Sequence, residues 1–226
     1  MTSTHAVIIA AGDGTRWGDY GGCPKHFAVV DGEPILHRTV RLLREQAPEA
    51  AIWVVGPDDR YRIEGSDLYV PTHDPEAYDA DKLLCSRDLW HQTGRTVVLL
   101  GDVYFTEHAM HQILAWPSME WVLFGRAFPS VLTGKPYGEP FGLSFGPSEH
   151  AKHHAAIRRI VDLYRRGLLS RCGVLEHYRA MIGIPDSMMG VHLAGPWWVH
   201  IDDWTDDFDW PDEYQRFVAR RKEAGL

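Results

Sequence analysis

Apolar residues along this chain fall into two patterns, unbroken short runs and runs spaced by three or four. His5–Ala11 (HAVIIAA), Ala51–Val55 (AIWVV) and Arg95–Gly101 (RTVVLLG) are unbroken. Such runs read as strands buried on both faces, as in a parallel sheet. Asp67–Val70, Glu120–Phe124 and Trp197–Ile201 read as shorter strands. Between them the period lengthens. Leu36, Val40 and Leu43 fall on one face of a helix expected over Glu33–Gln46. Asp79–His91, Thr106–Ala115, Glu149–Arg166 and Pro211–Lys222 read as further helices, with Pro211 suited to a first turn. Phe128–Phe145, rich in Gly and Pro, reads as loops with short strands. The alternation predicts an α/β fold with a mostly parallel sheet.

Composition narrows the function. With 226 residues, 45% of them hydrophobic, the chain can bury the core of one domain carrying a smaller lobe. The formal net charge of -8 argues against duplex nucleic acid as a partner. Three widely spaced cysteines imply neither a disulfide framework nor a zinc site. No apolar run reaches membrane length, and the apolar N-terminal run lacks the basic flank of a signal peptide. A soluble, reduced, cytoplasmic protein is therefore expected, with its oligomeric state open.

Two segments carry candidate chemistry at strand ends. Gly12-Asp13-Gly14-Thr15-Arg16 follows the first strand, and Pro24-Lys25 comes shortly after. Glycines permit tight turns that point backbone N–H groups at phosphate oxygens. Neither the dinucleotide fingerprint nor the P-loop pattern is met. Gly101-Asp102 ends the strongest buried strand, which places Asp102 at the ligand edge of an open α/β sheet. A carboxylate there needs a cation or a hydrogen-bonding role, either as a metal ligand or as the cap of the next helix. A third segment, 200–209, holds five aspartates, Asp202, Asp203, Asp206, Asp207 and Asp209.

The stretch Ile8-Ile9-Ala10-Ala11-Gly12-Asp13-Gly14-Thr15-Arg16, then Pro24-Lys25, resembles the signature of the nucleotidyltransferase superfamily with a glycosyltransferase-A-like fold. That superfamily includes sugar-phosphate, phosphocholine and molybdenum-cofactor nucleotidyltransferases. The resemblance implies transfer of a nucleoside monophosphate from an NTP to a small phosphorylated acceptor, with release of pyrophosphate and with Mg²⁺ as cofactor. It implies nucleotide binding by Ala10, Ala11, Gly12, Asp13, Gly14, Thr15, Arg16, Lys25 and Gly101. Arg16, Lys25 and Asp102 become the catalytic set, with Arg16 and Lys25 neutralising the triphosphate. Asp81 and Ser86, in the helix before the central strand, would touch base or ribose, or simply belong to a capped helix.

Ile201-Asp202 is similar to the superfamily's closing strand, which makes Asp202 the expected second metal ligand and Asp203 the alternative. The departure is Asp-Asp-Trp where the superfamily has one Asp and then Thr-Pro. Asp102 and Asp202 should then converge from neighbouring parallel strands, with Asp206, Asp207 and Asp209 facing solvent or capping the last helix. The organisation expected is one domain: a nucleotide-binding half over 1–128, an acceptor lobe over 129–195 and a closing strand and helix over 196–226. The rival reading is a glycosyltransferase of the same fold using a nucleotide sugar, and Lys25 favours the first, since only an NTP carries leaving β,γ-phosphates. His150, His153 and His154 lack the HExxH pattern and do not read as a metal site.

Overall fold

The computed structural model describes residues 3–12, 14–71, 83–185, 195 and 197–226. Its strands are β1 (Thr4–Ile9), β2 (Val29–Val30), β3 (Glu33–Pro34), β4 (Ala51–Val55), β5 (Asp67–Tyr69), β6 (Arg95–Leu100), β7 (Val103–Tyr104), β8 (Val122–Arg126), β9 (Glu139–Phe145), β10 (Trp198–His200) and β11 (Asp206–Asp207). The α-helices are α1 (Ile35–Gln46), α2 (Glu107–Leu114), α3 (His150–Arg165), α4 (Val174–Met181) and α5 (Pro211–Glu223). Seven strands form the central sheet in the order β10-β8-β9-β6-β1-β4-β5. All neighbours are parallel except β9, which runs antiparallel to both β6 and β8. Helices flank it, and this is the mostly parallel α/β architecture that the alternating pattern predicts.

Period two along the central strands divides the core. Ala6, Ile8, Val97 and Leu99 face a cluster that includes Leu36, Val40 and Leu43 of α1 and Met110 and Ile113 of α2. Val7, Ile9 and Val98 face the opposite cluster, with Ile157 and Ile160 of α3 and Tyr178 of α4. Both faces of β1 and β6 are therefore buried, which is why their sequences are unbroken apolar runs.

β9 is the main departure from the pattern. Phe128–Phe145 reads as loop, yet Glu139–Phe145 is a seven-residue strand inside the sheet. Pro140 sits where the β8–β9 register shifts between Phe124 and Gly125, so its missing N–H falls at an irregularity. A Cβ on Gly142 would lie 2.6 Å from the Val98 carbonyl oxygen. The glycine that disguises the strand is the residue that lets it pack there. The helix expected over Asp79–His91 is also not continuous: within the described part, Arg87–Leu89 is a single 3-10 turn.

Candidate active site

β1 and β6 are parallel neighbours with Ile9 opposite Leu100, so both strands end at one edge of the sheet. Gly101 N–H donates to the Ile9 carbonyl at 2.9 Å. A Cβ on Gly101 would approach that oxygen and Ala10 Cβ to 2.9 Å, so only glycine lets the two strand ends meet this closely. The glycine-rich loop then turns away through Gly14, at φ 61°. The loop is pinned by Trp17, whose indole N–H is shared between the carbonyls of Tyr20 (3.1 Å) and Cys23 (3.0 Å). Lys25 follows in a 3-10 turn preceded by Pro24 and is buried.

These elements enclose a cavity of about 210 Å³ lined by Gly12, Gly14, Thr15, Arg16, Lys25 and Asp102, together with Glu139, Asp207 and Asp209 among others. Lys25 Nζ lies 2.5 Å from Asp102 and 3.2 Å from Asp209. Arg16 reaches Asp209 at 2.6 Å while half its side chain stays exposed. Asp102, Asp207 and Asp209 each offer a carboxylate oxygen within 4.8 Å of the others.

The second acidic group is therefore not the expected one. β10 lies at the sheet edge, with β8 and β9 between it and β6. Three strand spacings, about 14 Å, separate its end from that of β6. Asp202 is exposed and lies outside the carboxylate group. Asp203, the alternative, accepts from the Thr106 hydroxyl and from Thr205 N–H (2.7 Å) beside the start of α2. What returns the chain to Asp102 is β11. It pairs antiparallel with β7, Asp207 opposite Val103 and Asp206 opposite Tyr104. Asp206, Asp207 and Asp209 are buried, contrary to the expectation that they face solvent.

Asp206 is structural. It accepts from Ser130 and Thr133 and pairs with Arg126, whose guanidinium also donates to the carbonyls of Asp203 and Thr205, both at 2.8 Å. The helix-cap role considered for Asp102 belongs to Thr106, whose hydroxyl accepts from Ala109 N–H. Among the remaining expected nucleotide contacts, Ala10 is buried and donates its N–H to Val55. Ala11 is partly buried and packs against the core cluster. Ser86 is buried and donates to the Leu83 carbonyl, so its hydroxyl serves its own turn. Asp13 and Asp81 lie outside the described residues.

The family model for the MobA-like NTP transferase domain matches residues 6–124, more than half of the chain and the span from within β1 through Asp102. The chain belongs to this family. It is 32% identical over 117 residues to the bifunctional protein GlmU of Chromobacterium violaceum, covering 50% of this chain and 25% of that protein. It is 41% identical over 63 residues to the 2-C-methyl-D-erythritol 4-phosphate cytidylyltransferase of Cereibacter sphaeroides, 27% of each chain. The chain thus spans about a quarter of the length of these curated relatives. Among solved structures, the fold is shared by a protein assigned as a glucose-1-phosphate thymidylyltransferase of Bacillus anthracis, with TM-score 0.65, 16% identity, and 98% and 96% of the two chains covered. It is also shared by the CTP:phosphocholine cytidylyltransferase of Streptococcus pneumoniae, with TM-score 0.60, 13% identity, and 97% and 99% covered.

Around this family core lies a charge network that sequence patterning did not suggest. Lys135 is fully buried, its Nζ 2.5 Å from Asp207, 3.0 Å from Glu139 and 3.4 Å from Asp209. Burial opposes its charge, but these carboxylates hold it well above the ordinary lysine range. Lys25 behaves alike, held up by Asp102, Asp209 and Asp207 against burial. Burial also opposes the charge on Asp102, yet Lys25 and His26 keep its carboxyl below the usual range. Asp207 goes the other way. Burial and the charges of Asp209 and Asp102 push it up to about 7, with Lys135 acting against them.

The donor set consists of hard carboxylate oxygens converging on one point, and the crowding of three like charges is what a divalent cation would relieve. This donor set fits a hard divalent cation. One signal for Asp209 is visible in the sequence. It is followed by Trp210-Pro211, and Pro211 opens α5, so Asp209 is the acidic residue directly ahead of the helix start.

Proposed function

We propose that this chain transfers a nucleoside monophosphate from an NTP to a small phosphorylated acceptor and releases pyrophosphate. The observation that carries the reading is the meeting of Arg16 and Lys25, from the glycine-rich loop, with Asp102 and Asp209 in one cavity at the carboxyl edge of β1 and β6. The acceptor phosphate, with a second pKa near about 6, is already largely dianionic at neutral pH and needs no strong base. One of its oxygens bonds to the α-phosphorus as the bond to the bridging oxygen breaks, and the electron pair leaves with pyrophosphate.

Asp102 and Asp209 would hold Mg²⁺, which would neutralise triphosphate charge when bound. Gly12 and Gly14 bring backbone N–H groups to the phosphates. Arg16 and Lys25 exchange their carboxylate partners for phosphate oxygens, with Lys25 serving the leaving β,γ-phosphates. Lys135 holds Asp207 and Glu139 at the far wall. Residues 129–195 receive the acceptor, and Glu139 and Pro140 form their part of the cavity lining. The location proposed is the cytosol, where an enzyme with three free cysteines stays reduced.

Pyrophosphate release, measured for each NTP against a panel of sugar, polyol and choline phosphates, tests the proposal. Turnover that needs both an NTP and a phosphorylated acceptor supports it. Release of a free nucleoside diphosphate from a nucleotide sugar, with no use of any NTP, overturns it.

A further inference from the structure

A second cavity, of about 370 Å³, is lined by Arg87, Trp90, Gln92, His150, Ala151 and His154. It lies at the opposite edge of the sheet from Asp102. Arg87, Trp90 and Gln92 precede β6, and His150 and His154 follow β9, whose Phe145 pairs with Thr96 near the start of β6. Among the described residues none of the lining is acidic, although Asp88 and Glu149 adjoin it in sequence. His150 and His154 are one turn apart on α3 and so share a face. Arg87 is close enough to lower the proton affinity of both, in addition to the effect of their burial.

Two ring nitrogens in this lining lack partners among the described residues. Trp90 is 2% exposed, and its indole Nε1 has no hydrogen-bond partner among the described residues. His150 Nε2 is buried and equally unpartnered. An indole nitrogen can only donate, so this buried one calls for an acceptor that the described residues do not supply. Arg87 adds a guanidinium, which matches tetrahedral oxyanions in a fork. An orphan indole donor, an unpartnered imidazole nitrogen and a guanidinium, with no carboxylate among the described lining residues, describe a receptor for an anion with several acceptor oxygens.

We propose that this cavity is a second ligand site, distinct from the catalytic one, that binds a phosphate group. Trp90, His150, His154 and Arg87 supply the donors. The phosphate is either inorganic or the head of a phosphate monoester.

Indole N–H resonances of the full chain test this, because two of the tryptophans report different cavities. Trp90 lines the distal one and Trp17 the catalytic one. The Trp90 signal is assigned from its loss in Trp90→Phe. Titration with inorganic phosphate should shift it saturably, and Arg87→Ala or His154→Ala should weaken that binding by about tenfold or more while pyrophosphate release stays unchanged. The Trp90 shift should persist in Lys25→Ala, where any phosphate response of Trp17 is reduced. A parallel titration with phosphate monoesters identifies the source. Tighter binding of an ester than of inorganic phosphate supports the site with an organic ligand, and the reverse supports it with free phosphate. The proposal is overturned if neither shifts the Trp90 signal, or if Arg87→Ala and His154→Ala both leave the shift unchanged.

Discussion

Lys25 Nζ bridges Asp102 at 2.5 Å and Asp209 at 3.2 Å, two carboxylates more than a hundred residues apart in the chain. One cation thus holds together the end of β6 and the segment that follows β11. The Asp102 side chain is still 23% exposed, on the cavity side. Replacing its charge should therefore affect chemistry more than folding. Asp102→Asn is expected to lower turnover by at least about a hundredfold, with a melting temperature close to that of the parent. Pyrophosphate release and thermal unfolding of the same preparation measure both. Unchanged activity in folded protein would remove Asp102 from the site.

The two acidic candidates of the tail separate by the same assay. Asp209→Asn should lose activity on the scale of Asp102→Asn. Asp202→Asn, at an exposed position three strands away, should behave as wild type. The opposite ranking would restore the pairing that the sequence suggested and would contradict the placement of β11.

That contrast shows where the sequence is informative. β1, α1, β4 and β6 are legible because burial on two faces, or on one helical stripe, leaves a periodic imprint. The loop from Gly12 to Lys25 and the position of Asp102 follow from those strands. β9 is not legible, because Pro140 and Gly142 serve a register shift and a close approach to Val98, and both residues otherwise signal loops. The second acidic group is hidden for another reason. β11 has only two residues, too few for any period, and its address is set by pairing with β7 rather than by its own composition. A run of five aspartates looks like a solvated surface until that pairing buries three of them.

Lys25→Ala should impair use of the NTP far more than binding of the product nucleotide, because Lys25 is assigned to the β,γ-phosphates. Calorimetric titration with NTP and with a non-reacting product analogue compares the two. Equal losses would move Lys25 to a phosphate that both ligands share.

Lys135 tests the distinction between charge that supports structure and charge that meets substrate. It is fully buried among Asp207, Glu139 and Asp209. Lys135→Met leaves Asp207 and Glu139 without this partner, while Asp209 keeps Arg16 and Lys25, and breaking a buried pair in this way costs about 3–5 kcal/mol. Urea unfolding should show a loss of that order. Lys135→Met with Asp207→Asn should recover part of it, because one unpaired charge is removed. A single variant as stable as wild type would mean that the carboxylates simply take up protons.

The last expectation concerns acid. His153 and His177 are completely buried with ring centroids 4.6 Å apart, and His153 accepts or shares a hydrogen bond from Trp121 Nε1 at 3.0 Å. Burial pushes His177 down to about 3. Burial, with His177 and the neighbouring histidines, holds His153 well below the ordinary imidazole range. Both are therefore neutral in the folded chain, and an unfolded chain binds protons on them below about pH 6.5. Where the unfolded state holds more protons, stability falls as pH falls. The loss begins near about pH 6.5 and continues down toward the folded-state values, at a limiting slope of about 1.4 kcal/mol per pH unit for each histidine. Asp207, pushed up to about 7, and Glu139, also raised by burial, take up protons in the folded chain over this range and offset part of the loss, whereas Asp102, held low by Lys25, contributes only at lower pH. Urea unfolding between pH 7 and 5 should therefore show a shallower dependence on falling pH in His177→Phe than in wild type, by up to about 1.4 kcal/mol per pH unit, once one of the two imidazoles is gone. An identical pH dependence in wild type and His177→Phe would show that the buried pair does not set the acid limit of the fold.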